Sequence, residues 1–247
     1  MSNPLNGGFG NSNGNSATSN AGFSIGNAMG SAITRNRVLR NTYWLLALSM
    51  VPTVFGAIIG VQMGFSKLLA GSPGMSMLLF FAGAFGFMFA IEKFKNSSVG
   101  VALLMGFTFF MGLMLSRLIG SILGFSNGGT LIATAFGGTA TVFAVMATIA
   151  TVSKRDFSGM GKWLMVGMVV AIVAAIANIW LKLPALHLTV SVLVVALSSA
   201  FILYDVQRVV NGGETNYVSA TLAIYLNIYN VFTSLLSLLG IFGGNRE

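Results

Sequence analysis

Apolar residues run through this chain in long blocks, and charged residues stand between the blocks rather than inside them. Seven stretches hold no Asp, Glu, Lys or Arg: 41–66, 68–91, 96–116, 118–153, 163–181, 183–204 and 215–245. Each is at least 19 residues long and predominantly apolar. A helix needs about 20 residues to cross the hydrocarbon core of a bilayer, so the pattern predicts seven transmembrane helices. The 36-residue stretch 118–153 is too long for one span. Its segment Gly124-Phe125-Ser126-Asn127-Gly128-Gly129 reads as a loop and puts the start of the fourth helix near Thr130. A membrane β-barrel would alternate with period two in units of about ten residues, and this pattern does not. The fold class is an all-α membrane protein, a bundle of seven transmembrane helices.

Ahead of the first span, residues 1–34 carry no charge, and Asn, Gly and Ser supply 20 of the 34. Such a composition cannot bury enough apolar surface to offset the entropy of ordering. The segment reads as a disordered tail, with Asn3, Asn11 and Asn20 as representative polar positions, followed by a transmembrane domain over 35–247. It has no basic start and no continuous apolar core, so it is not a secretory signal peptide.

Composition agrees with the pattern. Of 247 residues, 55% are hydrophobic and 7% charged, too few charges to cover a soluble surface. Cysteine is absent and His187 is the one histidine, which excludes disulfides, thiolate chemistry and zinc sites built on several imidazoles. The net charge of +8 suggests nucleic acid until it is read by position. With the N-terminus cytoplasmic, nine basic residues fall inside: Arg35, Arg37, Arg40, Lys93, Lys95, Lys154, Arg155, Lys162 and Arg208. Four fall outside: Lys67, Arg117, Lys182 and Arg246. The excess orients the bundle N-in, C-out and requires no nucleic-acid partner.

Small residues recur at packing intervals: Gly56, Gly60 and Gly64 in the first span, Ala82, Gly86 and Ala90 in the second, Gly167, Ala171 and Ala175 in the fifth. These rows let helix backbones approach closely, within one bundle or across a dimer. Polar residues also line up. Ser191, Ser198 and Asp205 are seven apart and share a face of the sixth helix, which runs to about residue 210. Asn227, Asn230, Ser234 and Ser237 share a face of the seventh. With a short turn between the helices, Asp205 and Asn227 lie within about 6 Å of the same depth at 1.5 Å per residue. This seam is either interhelical hydrogen bonding or an ion or proton path, since an intramembrane carboxylate usually marks a site. Arg208, three residues from Asp205, is placed to pair with it.

Enzyme readings find little support. An intramembrane aspartyl protease needs two carboxylates in one site, and the only aspartates are Asp156, in a loop, and Asp205. No GxSxG or HExxH motif occurs. No catalytic residue, metal ligand set or cofactor is assigned.

Three separated motifs then carry a resemblance: Val38-Leu39-Arg40-Asn41-Thr42-Tyr43 before the first span, Leu183-Pro184-Ala185-Leu186-His187-Leu188 opening the sixth, and Gly212-Gly213-Glu214-Thr215-Asn216-Tyr217 opening the seventh. With Ser234-Leu235-Leu236-Ser237-Leu238-Leu239-Gly240 and Ile202-Leu203-Tyr204-Asp205, the region 35–243 resembles the Bax inhibitor-1 family. The resemblance implies seven helices with the seventh surrounded by the other six, N-in, C-out. For bacterial inner-membrane members it implies association with the FtsH membrane protease, as a slowly handled substrate and modulator. For the wider family it implies a pH-sensitive calcium leak, in which aspartates on helices 6 and 7 bond across the pore, assisted by an arginine on helix 2. Asp205 matches the first aspartate; the second position here is Asn227, and the arginine region reads Glu92-Lys93. The partners implied are the bilayer, FtsH and calcium ions. The candidate ion-pathway residues are Asp205, Asn227, Ser198, Asn230 and Arg208; Asn3, Asn11 and Asn20 mark the protease-engaging tail.

Overall fold

A computed structural model describes the backbone of residues 14–65 and 73–245, with side chains over 33–65 and 74–245. Its long helices are α1 (Gly14–Gln62), α2 (Pro73–Phe94), α3 (Ser98–Leu123), α4 (Gly128–Val152), α5 (Gly161–Leu181), α6 (Pro184–Val210) and α7 (Tyr217–Gly243). A single 3-10 turn, Ser158–Met160, precedes α5. Seven helical segments, the first of them Ile33–Gln62, are long and apolar enough to cross a membrane.

The expected tail is corrected in part. The backbone is helical from Gly14, continuous with the first span, so residues 14–34 are not without structure. Asn20 lies on this helix; Asn3 and Asn11 lie outside the described residues.

Charged residues also end helices less sharply than their spacing predicts. Helix α3 passes through Arg117 to Leu123, and α2 passes through Glu92 and Lys93 to Phe94. Long side chains can lay their stems on apolar surface and keep the charge at the water boundary, so a charge near an end need not break a helix. Local chemistry sets the ends instead. Pro184 takes the first turn of α6, where its missing N–H has no intrahelical partner. Asn216 caps α7, its side-chain oxygen accepting from the N–H groups of Val218 at 2.9 Å and Ser219 at 3.1 Å. Between them the chain turns at Gly212, whose φ of +78° lies where glycine pays no steric cost.

Helix α7 packs against α1, α2, α3, α4 and α6, while α5 packs on α6 and the 3-10 turn. The seventh helix therefore touches five of the other six, and α5 stands outside that group. The α1–α3 contact is the most extensive, and it is backbone against backbone. A Cβ added to Gly56 would stand 2.2 Å from the Phe109 carbonyl oxygen, and one added to Gly112 would stand 2.1 Å from that of Thr53. Gly60 likewise meets Ser116, and Gly167 meets Leu197 on α6, so these glycines serve packing inside the bundle, whereas Gly64 lies past the end of α1 at φ +63° and Ala175 is exposed. In α2 the row faces outward: Ala82 and Gly86 are exposed, and nothing lies within 4 Å of a Cβ added at Gly86. The three tryptophans, Trp44, Trp163 and Trp180, are all strongly exposed, and Trp163 and Trp180 lie at the two ends of α5, as in an interfacial aromatic belt.

Tyrosines of α7 hold the core in place of charge. The Tyr225 hydroxyl is 2.8 Å from Thr53 Oγ1 on α1, and Tyr229 donates to the Met111 carbonyl on α3 at 3.3 Å. Most buried Ser and Thr hydroxyls return their proton to a carbonyl three or four residues back, as Thr42, Thr139 and Ser199 do. In a medium without water this satisfies the hydroxyl within its own helix.

Candidate functional site

Of the predicted seam, Asp205 and Asn227 meet. Asn227 Nδ2 on α7 donates to Asp205 Oδ2 on α6 at 2.8 Å, and also to the Ala223 carbonyl at 3.0 Å. Both side chains are buried, at 9% and 8% exposure. At the other end of the same two helices, His187 Nε2 lies 2.8 Å from Ser237 Oγ. Eighteen residues separate His187 from Asp205, about 27 Å at 1.5 Å per residue, close to the thickness of a hydrocarbon core. Between these two links sits Ser198, fully buried, whose Oγ has no hydrogen-bond partner among the described residues. Asn230 is half-buried, and its carbonyl accepts from Thr233 Oγ1 at 3.2 Å; it does not join the Asp205–Asn227 pair.

Arg208 takes a different partner from the one its spacing suggests. Its guanidinium lies 3.3 Å from Glu214 across the α6–α7 turn. A partner six residues ahead, brought back by the turn at Gly212, carries no helical-spacing signal. The backbone supports the same closure: the N–H groups of Gly213 and Glu214 both donate to the Arg208 carbonyl.

The structure adds a chamber that the sequence does not reveal. A cavity of about 300 Å³ is lined by Glu92, Lys95, Asp205, Arg208, Glu214 and Ser219, with Val209, Ala220 and Ala223. It lies between the end of α2 and the α6–α7 turn. Glu92 pairs with Lys95 one turn on, and its second oxygen accepts from Ser219 Oγ at 3.0 Å. Of the three carboxylates, Glu92 and Glu214 each face a cation, and Asp205 faces an amide. No group of three or more His, Cys, Asp or Glu side chains suited to a metal ion occurs among the described residues.

Gln207 was not singled out either. It is 4% exposed, and both ends of its amide are used: Oε1 accepts from the Phe157 N–H at 2.7 Å, and Nε2 donates to the Arg155 carbonyl at 2.6 Å. The available signal was a glutamine inside the predicted sixth helix, one turn after the buried Leu203. A polar group placed there must find a partner.

Comparison with known proteins fits this architecture. A family model described as "Inhibitor of apoptosis-promoting Bax1" matches residues 35–244. The "Modulator of FtsH protease YccA" of Escherichia coli K12 is 39% identical over 210 residues, covering 85% of this chain and 92% of that protein. The "Inner membrane protein YccA" of E. coli O6:H1 matches over the same shares, also at 39% identity. An uncharacterized membrane protein of Vibrio cholerae is 39% identical over 211 residues, covering 85% of this chain and 92% of its own length. The chain belongs to the Bax inhibitor-1 family.

Proposed function

We propose that this protein is a non-enzymatic modulator of an FtsH-type membrane protease, inserted N-in, C-out in a bacterial inner membrane. The observation that carries the reading is the 39% identity, across 92% of its length, to the E. coli protein named a modulator of FtsH protease. In this reading the segment 1–34, which precedes the family-matched region, is what the protease grips, through positions such as Asn3, Asn11 and Asn20. It is free of charge and carries little apolar surface, so pulling it out of any local helix is cheap. Deleting residues 3–30 should leave the bundle folded and change its turnover by FtsH. Unchanged turnover, together with unchanged inhibition of FtsH, would remove the tail from the mechanism.

The orientation rests on the nine-to-four division of basic residues and the odd number of spans. A reporter active only in the cytoplasm, fused after Glu247, should be silent. Activity at that fusion would reverse the topology.

A second reading, a pH-modulated calcium or cation leak, is favoured by one observation: the buried Asp205 carboxylate borders the charged chamber. The Asn227 amide opposes it by occupying the position of a second carboxylate. Reconstitution into liposomes containing a calcium-sensitive dye separates the two readings. A robust flux from the parent protein would put the leak first.

A further inference from the structure

The connection between α4 and α5 is held like part of the bundle, although it lies outside the predicted spans. Gln207 fixes it at Arg155 and Phe157 through the two amide bonds described above. At Gly161 it meets α6 again, where an added Cβ would stand 2.7 Å from the Tyr204 ring. The Arg155 guanidinium lies over the Phe157 ring at 5.9 Å. Three cations, Lys154, Arg155 and Lys162, stand exposed within nine residues, and none forms an ion pair among the described residues. The one carboxylate nearby is committed locally. Asp156 accepts from the Ser158 N–H at 2.8 Å and Ser158 Oγ at 2.9 Å, bonds that hold its carboxyl below the usual carboxylate range. Trp163, 80% exposed, follows Lys162 directly and marks the level of the membrane surface.

Topology by positive charge requires only that the basic residues be present on one side; it requires no fixed geometry. A rigid basic corner, with three cations against the single Asp156 carboxylate, beside an interfacial tryptophan fits something more specific. We propose that this corner binds the headgroup of an anionic phospholipid in the leaflet at this end of the bundle. Lys154, Arg155 and Lys162 contact the phosphate, and Gln207 is the positioning residue that presents them. The choice of occupant rests on charge complementarity and on the apolar wall beside it, the lipid-facing side of α5 with Val166, Val170 and Val173 exposed. The proposal is independent of the FtsH reading.

The test uses the purified full chain in a neutral detergent, titrated with phosphatidylglycerol or phosphatidylcholine. Bound lipid is counted by native mass spectrometry. Each basic residue near an anionic surface contributes about a fivefold factor, so the triple variant K154Q/R155Q/K162Q should bind phosphatidylglycerol at least about tenfold more weakly. The control R35Q/R37Q/R40Q removes three charges expected at the same end and should stay within about twofold of the parent. Equal losses in the two variants, or no loss at the corner, would overturn the site in favour of diffuse charge. Displacement of the lipid by inorganic phosphate at equal concentration would overturn the lipid as occupant. Gln207→Leu keeps every charge and should lower the ratio of phosphatidylglycerol to phosphatidylcholine affinity, whereas general destabilisation would lower both together. An unchanged ratio would overturn the role of Gln207.

Discussion

Replacing Asn227 with leucine removes one amide and keeps the volume. In the structure that amide gives Asp205 its hydrogen bond at 2.8 Å, and Arg208 is occupied by Glu214. The carboxylate would therefore lose its side-chain donor while remaining mostly buried. A hydrogen bond to a charged group is worth about 1.5–3 kcal/mol in soluble proteins, whereas interhelical bonds in membranes average about 0.6 kcal/mol and reach about 1.7. Asp205 borders the charged chamber, where water can replace part of the loss, so the membrane scale is the better guide. A destabilisation of about 0.6–1.7 kcal/mol follows, or about 1–7 °C in Tm for a chain of this size. The assay is thermal unfolding of the purified protein in detergent, followed by tryptophan fluorescence. The exchanged pair D205N/N227D keeps one amide facing one carboxylate and should recover at least half of the lost stability. If Asn227→Leu melts with the parent, or if the exchanged pair is less stable than the two single variants combined, the bond does not hold these helices together.

Two other outcomes follow from the same geometry. Gly56→Ala and Gly112→Ala each push a Cβ to about 2 Å from a backbone oxygen of the facing helix; each should cost about 1–3 kcal/mol, and the double variant less than the sum, because one separation of α1 from α3 relieves both clashes. Additive losses in Tm would mean that the two contacts yield separately. Asn227→Asp places two carboxylates on the seam, the arrangement that the family resemblance associates with a leak, and should produce a calcium signal in dye-loaded liposomes that the parent lacks; equal signals would detach the leak from this position.

The number of spans was legible because the bilayer imposes one length on every helix, and each charge-free stretch meets it. Helix ends were less legible. Glu92, Lys93 and Arg117 stand inside helices, since backbone capping and turn geometry, not charge, decide where a helix stops, whereas the end of α6 at Val210 falls where the sequence put it. The Asp205–Asn227 pair could be read because an antiparallel turn of known length fixes which depths face each other. The Arg208–Glu214 and Gln207–Arg155 links could not, because each joins a helix to a loop whose path no periodicity describes. Composition argues whether a segment can fold alone and says nothing of whether its backbone continues a neighbouring helix, as it does over 14–34.

The C-terminal end of α6 is held from three directions within four residues. Asp205 joins α7, Gln207 joins the α4–α5 connection, and Arg208 joins the turn at Glu214. At its other end α6 is tied to α7 again through His187 and Ser237. Apolar side chains gain little from meeting one another in lipid, so such polar links decide which helices move together. Helices α6 and α7 are linked at both ends and should behave as one body, with the α4–α5 corner attached. Helix α2 does not pack against α6 among the described elements, and it meets α7 only slightly. The charged chamber lies between α2 and that body, bridged to it by Ser219 on Glu92 and by Asn216, whose side-chain nitrogen donates to the Asn96 side chain at 2.8 Å. A change in chamber volume therefore requires these bonds, the Asn216 side-chain bond to the Lys95 carbonyl at 3.2 Å and the slight α2–α7 contact to yield. Any regulated movement of this bundle is expected first at the hinge between α2 and the α6–α7 pair, with the Asp205–Asn227 bond carried along intact.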